Sequence, residues 1–150
     1  MISIRPMVAA DIATVAASAR EADVVEMRDG AGLGIGQALS IGLRESLRSW
    51  VIECDGMPMA AAGDTLGGIG VGVPWMVTTQ HIVRNRKGFL CASRAVLDDA
   101  LTRHFQLVNY VDARNNAAIR WLSWLGFSID DPVPYGAQGL PFHKFHLFRS

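Results

Sequence analysis

Hydrophobic and polar positions divide the chain into short alternating runs and longer amphipathic ones. Ile2 and Ile4 alternate with Ser3 and Arg5, a strand that Pro6 ends or marks as an edge. From Asp11 the apolar positions Ile12, Val15, Ala16 and Ala19 follow helical spacing, and a second short helical run covers Ala22 to Met27. Gln37 to Ser49 predicts a third helix, with Leu39, Leu43 and Leu47 spaced by four. Trp50 to Cys54 is a strand, Asp55-Gly56 a hairpin turn, and Met57 to Asp64 its partner. Gly67-Gly68 makes the next turn and Val71 to Thr79 the next strand of a meander. Gly70 and Gly72 strip one face of that strand of side chains, which predicts a bulge or the close approach of a ligand. Lys87 to Phe105 returns to helix, with Leu90, Leu97 and Leu101 towards a core and Asp98, Asp99 and Arg103 towards solvent.

The stretch Gln106 to Asp130 satisfies the most local rules at once. Leu107, Val108, Tyr110 and Val111 form a strand rich in branched and aromatic residues. Asn115-Asn116 supplies a side chain to accept from the free N–H groups of a helix start. Ala118, Trp121, Leu122 and Leu125 fall on one helix face, with Trp124 beside it. Gly126 sits where a left-handed residue stops the helix, and Phe127 where a hydrophobic contact closes its end. A new strand follows, then a loop punctuated by Pro132, Pro134, Gly136 and Gly139, and a last strand from His143 to Phe148. The order predicts an α+β (mixed α/β) fold, residues 1–150 forming a single domain.

Composition narrows the function classes. With 50% apolar and 19% charged residues, disorder is excluded in favour of a packed core. Zero net charge argues against a protein built around a nucleic-acid backbone, and no dedicated nucleic-acid motif is visible. Cys54 and Cys91 carry neither metal spacing nor a disulfide framework, so a reducing cytosol is the expected compartment. Neither a signal peptide nor a membrane-length apolar run is expected. Mean hydropathy of +0.22 is high for a soluble monomer and points to a buried partner surface.

Several motifs invite chemistry and fail a spacing test. Gly30 to Gly36 lacks the preceding strand and the spacing of a dinucleotide loop, and reads as a flexible connection. His143 and His146, three apart on a strand, point to opposite faces, so no metal site is expected. No Ser or Cys stands on a strand-turn-helix elbow to complete a triad with Asp112 and His104 or His143. Trp50, Trp75, Trp121 and Trp124 read as core and interface anchors.

The pattern Asn115-x-x-Ala118, Trp121-Leu122, Gly126-Phe127 resembles the C-terminal motif of the GNAT (Gcn5-related N-acetyltransferase) superfamily. Pro74-Trp75-Met76-Val77-Thr78, Asn109-Tyr110-Val111 and the helix Asn115 to Leu122 resemble, more narrowly, the GNAT-like internal virion proteins of short-tailed bacteriophages. The similarity covers roughly the second half of the chain, together with an opening Ile4-Arg5-Pro6. It implies an acyl-CoA N-acyltransferase-like fold, a central mixed sheet flanked by helices. In such a fold the Val71–Thr79 and Gln106–Asp112 strands run parallel, joined by the Lys87–Phe105 helix, and splay apart at their C-terminal ends.

The resemblance also implies a place for acetyl-CoA. Met76, Val77 and Thr78 would flank it, Asn115 would face it, and its pyrophosphate would meet the helix start in Arg84-Asn85-Arg86-Lys87-Gly88-Phe89-Leu90. Arg84, Arg86 and Lys87 would hold the anion by charge. Gly88 keeps one small position of the family signature, and Leu90 replaces the second. The tyrosine that many relatives place seven residues after the motif Asn is Leu122 here, which donates no proton. Glu53, Asp64, His81 and Asp112 all remain open as general base, and the catalytic residues are unassigned. Two functions follow. One is a virion-associated protein with a decayed acetyl-CoA site, made in the bacterial host cytoplasm and packaged in the particle, with roles in assembly or DNA ejection and with virion proteins or its own copies as partners. The other is an active acetyl-CoA-dependent N-acetyltransferase of a small amine or host protein.

Overall fold

The computed structural model describes all 150 residues, arranged about one eight-stranded sheet. The chain runs β1 (Ile2–Pro6), α1 (Asp11–Ser18), α2 (Glu21–Ala31), α3 (Ile35–Glu45), β2 (Arg48–Cys54), β3 (Met57–Gly68) and β4 (Val71–Thr78). A 3-10 turn (Gln80–Arg84) leads into α4 (Arg86–Leu101), β5 (Gln106–Asp112), α5 (Asn116–Leu125), β6 (Ser128–Ile129), β7 (Val133–Tyr135) and β8 (Leu140–Phe148). Across the sheet the order is β1-β2-β3-β4-β5-β8-β6, with β7 also on β8. Every neighbouring pair is antiparallel except β4 and β5, which are parallel and joined by α4 as expected. No helix is long and apolar enough to cross a membrane.

Each face of the sheet buries its own core. Met7, Val15, Leu39, Val51, Ala61 and Val77 pack under α1 and α3. On the other face α4 covers Ile52, Met59 and Ala60 with Phe89 and Ala92. Its second half and α5 bury Leu97, Leu107, Val111, Leu122, Leu125, Phe127 and Phe145. Ala60, Ala61 and Ala62 are buried almost completely, so the small residues that weaken β3 as an isolated strand let helices approach both of its faces.

The α5 unit forms as its sequence predicts. Asn115 Oδ1 accepts from the Ala118 N–H at 3.3 Å. Gly126 takes φ +102, and the Phe127 N–H returns to the Leu122 carbonyl at 3.1 Å. Leu125→Ala should therefore cost about 2–5 kcal/mol as a core truncation, and Gly126→Ala about 1 kcal/mol through its positive φ. Urea unfolding checks both, and a loss below half a unit for Leu125→Ala would show that the site relaxes around the deletion.

Other expectations shift. The second helix continues to Ala31, so the glycine stretch shortens to a tight link, with Gly32 left-handed at φ +71 and Gln37 Oε1 accepting from the Gly34 N–H. The third helix ends at Glu45 and leaves Leu47 exposed rather than on the core stripe, because the Leu47 N–H bonds the Asp64 carbonyl at 2.9 Å and draws the chain into the sheet. The β3–β4 turn falls at Ile69-Gly70, not Gly67-Gly68. Inside the Pro/Gly loop β7 forms, and Pro134 is tolerated there because β7 pairs only with β8. Gly72 opens no ligand approach. A Cβ there would lie 2.3 Å from the His104 ring, which occupies the space.

Candidate functional site

Pro74 opens the sheet. β4 and β5 pair only at Val71–Gln106 and Gly72–Leu107, and beyond that point the ladder stops. The Pro74 carbonyl faces β5, where it accepts from Asn109 Nδ2 at 2.6 Å, so the proline's missing N–H falls on the side that should carry the next bond. Asn109 pins the vertex: its Oδ1 also accepts from the Tyr110 N–H at 2.8 Å. Above this pin the strands diverge around a cleft of about 570 Å³.

Two carboxylates from α2 cap the separated strand ends. Asp23 accepts from the Thr78 N–H at 2.7 Å and from the Thr78 hydroxyl at 2.5 Å. Glu26, one turn on, accepts from the Asp112 N–H at 2.8 Å. They take the backbone donors that β4 and β5 would otherwise offer each other, so α2 holds the cleft open. Thr78 and Pro74 both turn their peptide groups away from β3, and the alternation of the register puts Met76 in the same class. The Met76 N–H and carbonyl therefore face the cleft with no strand opposite.

Charge is distributed unevenly around this space. Arg86, first residue of α4, stands at the open end, while Asp23 and Glu26 line the α2 side. Burial pushes the Glu26 carboxyl up to about 7, outweighing the Asp112 N–H bond, and the Asp23 charge raises it further. Burial likewise raises Asp23. Tyr110 and Tyr135 stack at 4.0 Å on the same wall, and burial raises the Tyr135 hydroxyl.

Of the residues implied as cofactor contacts, Met76, Val77, Thr78, Arg86 and Asn115 line the cleft. Arg84, Lys87 and Gly88 stand outside its walls. Arg84 Nε points to His81 Nδ1 at 3.4 Å, and Lys87 is exposed. Gly88 has a packing reason: a Cβ would lie 2.7 Å from Ile2 and from Asn85. Its N–H is already taken by Asn85 Oδ1 at 2.8 Å. Leu90 lines the cleft, as does Leu122.

The four bases left open by the sequence all lie off the cleft wall. Asp112 is tied to Arg114 at 2.6 Å, which holds its carboxyl below the usual range. Asp64 is closed in by Arg103 and His104, Glu53 pairs with Arg5 at 3.3 Å, and His81 sits in the 3-10 turn, its N–H donating to the Thr79 hydroxyl and its ring accepting from Arg84 Nε. The carboxylates that do line the cleft are Asp23 and Glu26. Their spacing of three on a helical run was the available signal, since it puts both on one face. No cluster of three or more His, Cys, Asp or Glu side chains is assembled for a metal.

No family model matches this sequence, and no curated protein does. Solved structures match it along nearly the whole chain. A ribosomal-protein-alanine N-acetyltransferase from Brucella melitensis is 16% identical with a TM-score of 0.75, covering 97% of this chain and 99% of its own. The aminoglycoside acetyltransferase AAC(6')-Ib in complex with coenzyme A is 16% identical with a TM-score of 0.73, covering 99% and 95%. YncA from Salmonella typhimurium with its cofactor acetyl-CoA is 15% identical with a TM-score of 0.67, covering 99% and 94%. The central mixed sheet flanked by helices is thus shared along nearly its whole length with solved acetyltransferases, and this chain has the GNAT acyl-CoA N-acyltransferase fold.

Proposed function

We propose that this protein binds an acyl-CoA between β4 and β5 and transfers the acyl group to an amine presented from the α2 side. One observation carries the reading: a single cleft joins the unpaired peptide edge at Met76 to the Glu26 carboxyl, poised near neutrality. An extended chain of amides such as pantetheine can pair with that edge as a missing strand would, and Arg86 offers its charge to the phosphates. The amine nitrogen attacks the thioester carbonyl, the C–N bond forms and the C–S bond breaks. Glu26 takes the proton shed by the amine. The departing thiolate takes up another, and the cleft offers two tyrosine hydroxyls as donors, Tyr110 and Tyr135, the second kept protonated by burial.

A finer reading rests on the resemblance to internal virion proteins: the same scaffold carried in a phage particle, with the cleft retained for binding but not turnover. Leu122 at the tyrosine position and the Asn85 cap on the Gly88 N–H favour it. So does the exposed apolar end of the sheet, where Phe105 and Phe148 meet edge to face at 5.6 Å beside the Ile69-Gly70 turn, a surface suited to neighbouring subunits.

Calorimetric titration with CoA and acetyl-CoA tests both readings. Micromolar binding is expected, and Arg86→Ala should weaken it about five- to tenfold and flatten its salt dependence. Turnover with amines selects the enzyme, and binding without turnover selects the virion protein. Absence of any heat at about 1 mM CoA, where a site of ordinary affinity is saturated, would remove both.

A further inference from the structure

The cleft does not end at the Asn109 pin. Behind it, between the β3–β4 part of the sheet and helices α4 and α5, lies a second cavity of about 80 Å³. Its place follows from the course of α4. That helix starts at the open end of the cleft, where Arg86, Phe89 and Leu90 line the main space, and runs back over the vertex. There its second half, Val96, Leu97 and Ala100, roofs the smaller cavity. Along α5 the same progression runs from Asn115 and Ala118 in the main cleft to Leu125 and Phe127 in the small one. Met76, Trp121, Leu122 and Phe145 line both, so the two spaces share a wall.

The small cavity is apolar in effect as well as in composition. Its polar neighbours are already satisfied: Ser93 Oγ donates to the Leu90 carbonyl at 2.8 Å and accepts from Trp121 Nε1 at 3.2 Å. Asp64 is held by Arg103 and His104. The cavity's walls are mostly apolar, so a hydrocarbon group that fills it exchanges water for apolar contacts. Leu122 decides the character of the passage, because the proton-donating tyrosine that the sequence lacks would have put a hydroxyl there.

We infer that the cavity receives the tail of an acyl group longer than acetyl, so that the preferred donor is a short- to medium-chain acyl-CoA. This rests on the acyl-CoA reading above. With the phosphates at Arg86 and the pantetheine along Met76, the acyl end points towards the vertex, and each methylene beyond acetyl leaves water for an apolar wall. Burying a methylene is worth a factor of about three to four in affinity, so butanoyl-CoA should bind on the order of tenfold more tightly than acetyl-CoA. The gain should stop once the cavity is filled.

The test is a titration of the wild-type protein with CoA, acetyl-, butanoyl-, hexanoyl- and dodecanoyl-CoA, followed by the same series on Ala100→Leu, which fills the cavity from α4. Support is a roughly tenfold step from acetyl to butanoyl that falls to near one in Ala100→Leu, the variant's thermal transition showing that it is folded. If Ala100→Leu does not fold, the wild-type series decides alone. Equal or weaker binding of butanoyl-CoA, with CoA itself bound, overturns the acyl-tail site and leaves the acyl-CoA reading standing. No binding of CoA in any form overturns both.

Discussion

Asp64→Ala should destabilise the fold by about 3–5 kcal/mol, the cost of removing one partner from a buried ion cluster. Asp64 on β3 is 1% exposed. Its carboxylate accepts from Arg103 Nη2 at 2.6 Å, from Arg103 Nε at 3.0 Å and from His104 Nε2 at 2.7 Å. A carboxylate only accepts, so Nε2 is the protonated nitrogen of that ring. Alanine would leave the buried imidazole donor without an acceptor and the guanidinium with Asp99 alone, at 2.7 Å. Since domains of this size are stable by only about 5–15 kcal/mol, the loss is a large share of the whole. Asp64→Asn should cost less, because its amide oxygen can keep one of the bonds. Urea denaturation measures both. A cost under about 1 kcal/mol for Asp64→Ala would mean that the Arg103 head group turns out to water and the His104 ring moves with it. The cluster also explains Gly72, since the ring that Asp64 holds lies where any side chain at that position would go.

The elements that were legible in the sequence are those whose causes are local. The α5 unit needs only Asn115 at its start, a one-sided apolar stripe and Gly126 at its end, all within a dozen residues. The Asp55-Gly56 hairpin is likewise read from two residues, both at positive φ. The splay of β4 from β5 was expected from the family resemblance alone, and the structure supplies its cause in Pro74. What stayed hidden depends on partners far along the chain. Leu47 looked like a fourth turn of the α3 stripe until the Asp64 carbonyl, a strand away, claimed its N–H. Gly72 looked like room for a ligand because nothing near it announces His104. Asp23 and Glu26 were not singled out, since carboxylates on a short polar helix are usually solvated. Their bonds reach Thr78 and Asp112, 55 and 86 residues away, and only the assembled sheet shows that those N–H groups are unpaired.

In the acyl transfer proposed above, Glu26→Gln should cost about 10²–10⁴-fold in rate, the usual contribution of a positioned base. Glutamine keeps an oxygen to accept from the Asp112 N–H, so the cleft stays open while the proton acceptor is lost. The pH dependence separates this role from a structural one. With its carboxyl at about 7, Glu26 is protonated and idle below neutrality, so kcat/KM should rise about tenfold per pH unit up to that point and level off above it. In Glu26→Gln that limb should vanish. Stability should move the opposite way. The folded carboxyl holds its proton more tightly than its ordinary value of 4.5 allows, so the folded state binds more protons than the unfolded one between about 4.5 and about 7. Stability contributed by the protonated form is complete below that window and is lost as pH rises through it. Glu26→Gln should remove this slope and be more stable than the wild type at pH about 8, where the buried charge is absent. A variant that is dead but more stable at alkaline pH is what a base held at a desolvation cost should give. If Glu26→Gln kept both its activity and its acid limb, the proton would have to leave by another group, and Asp23, raised by the same burial and lining the same wall, would be the next to test.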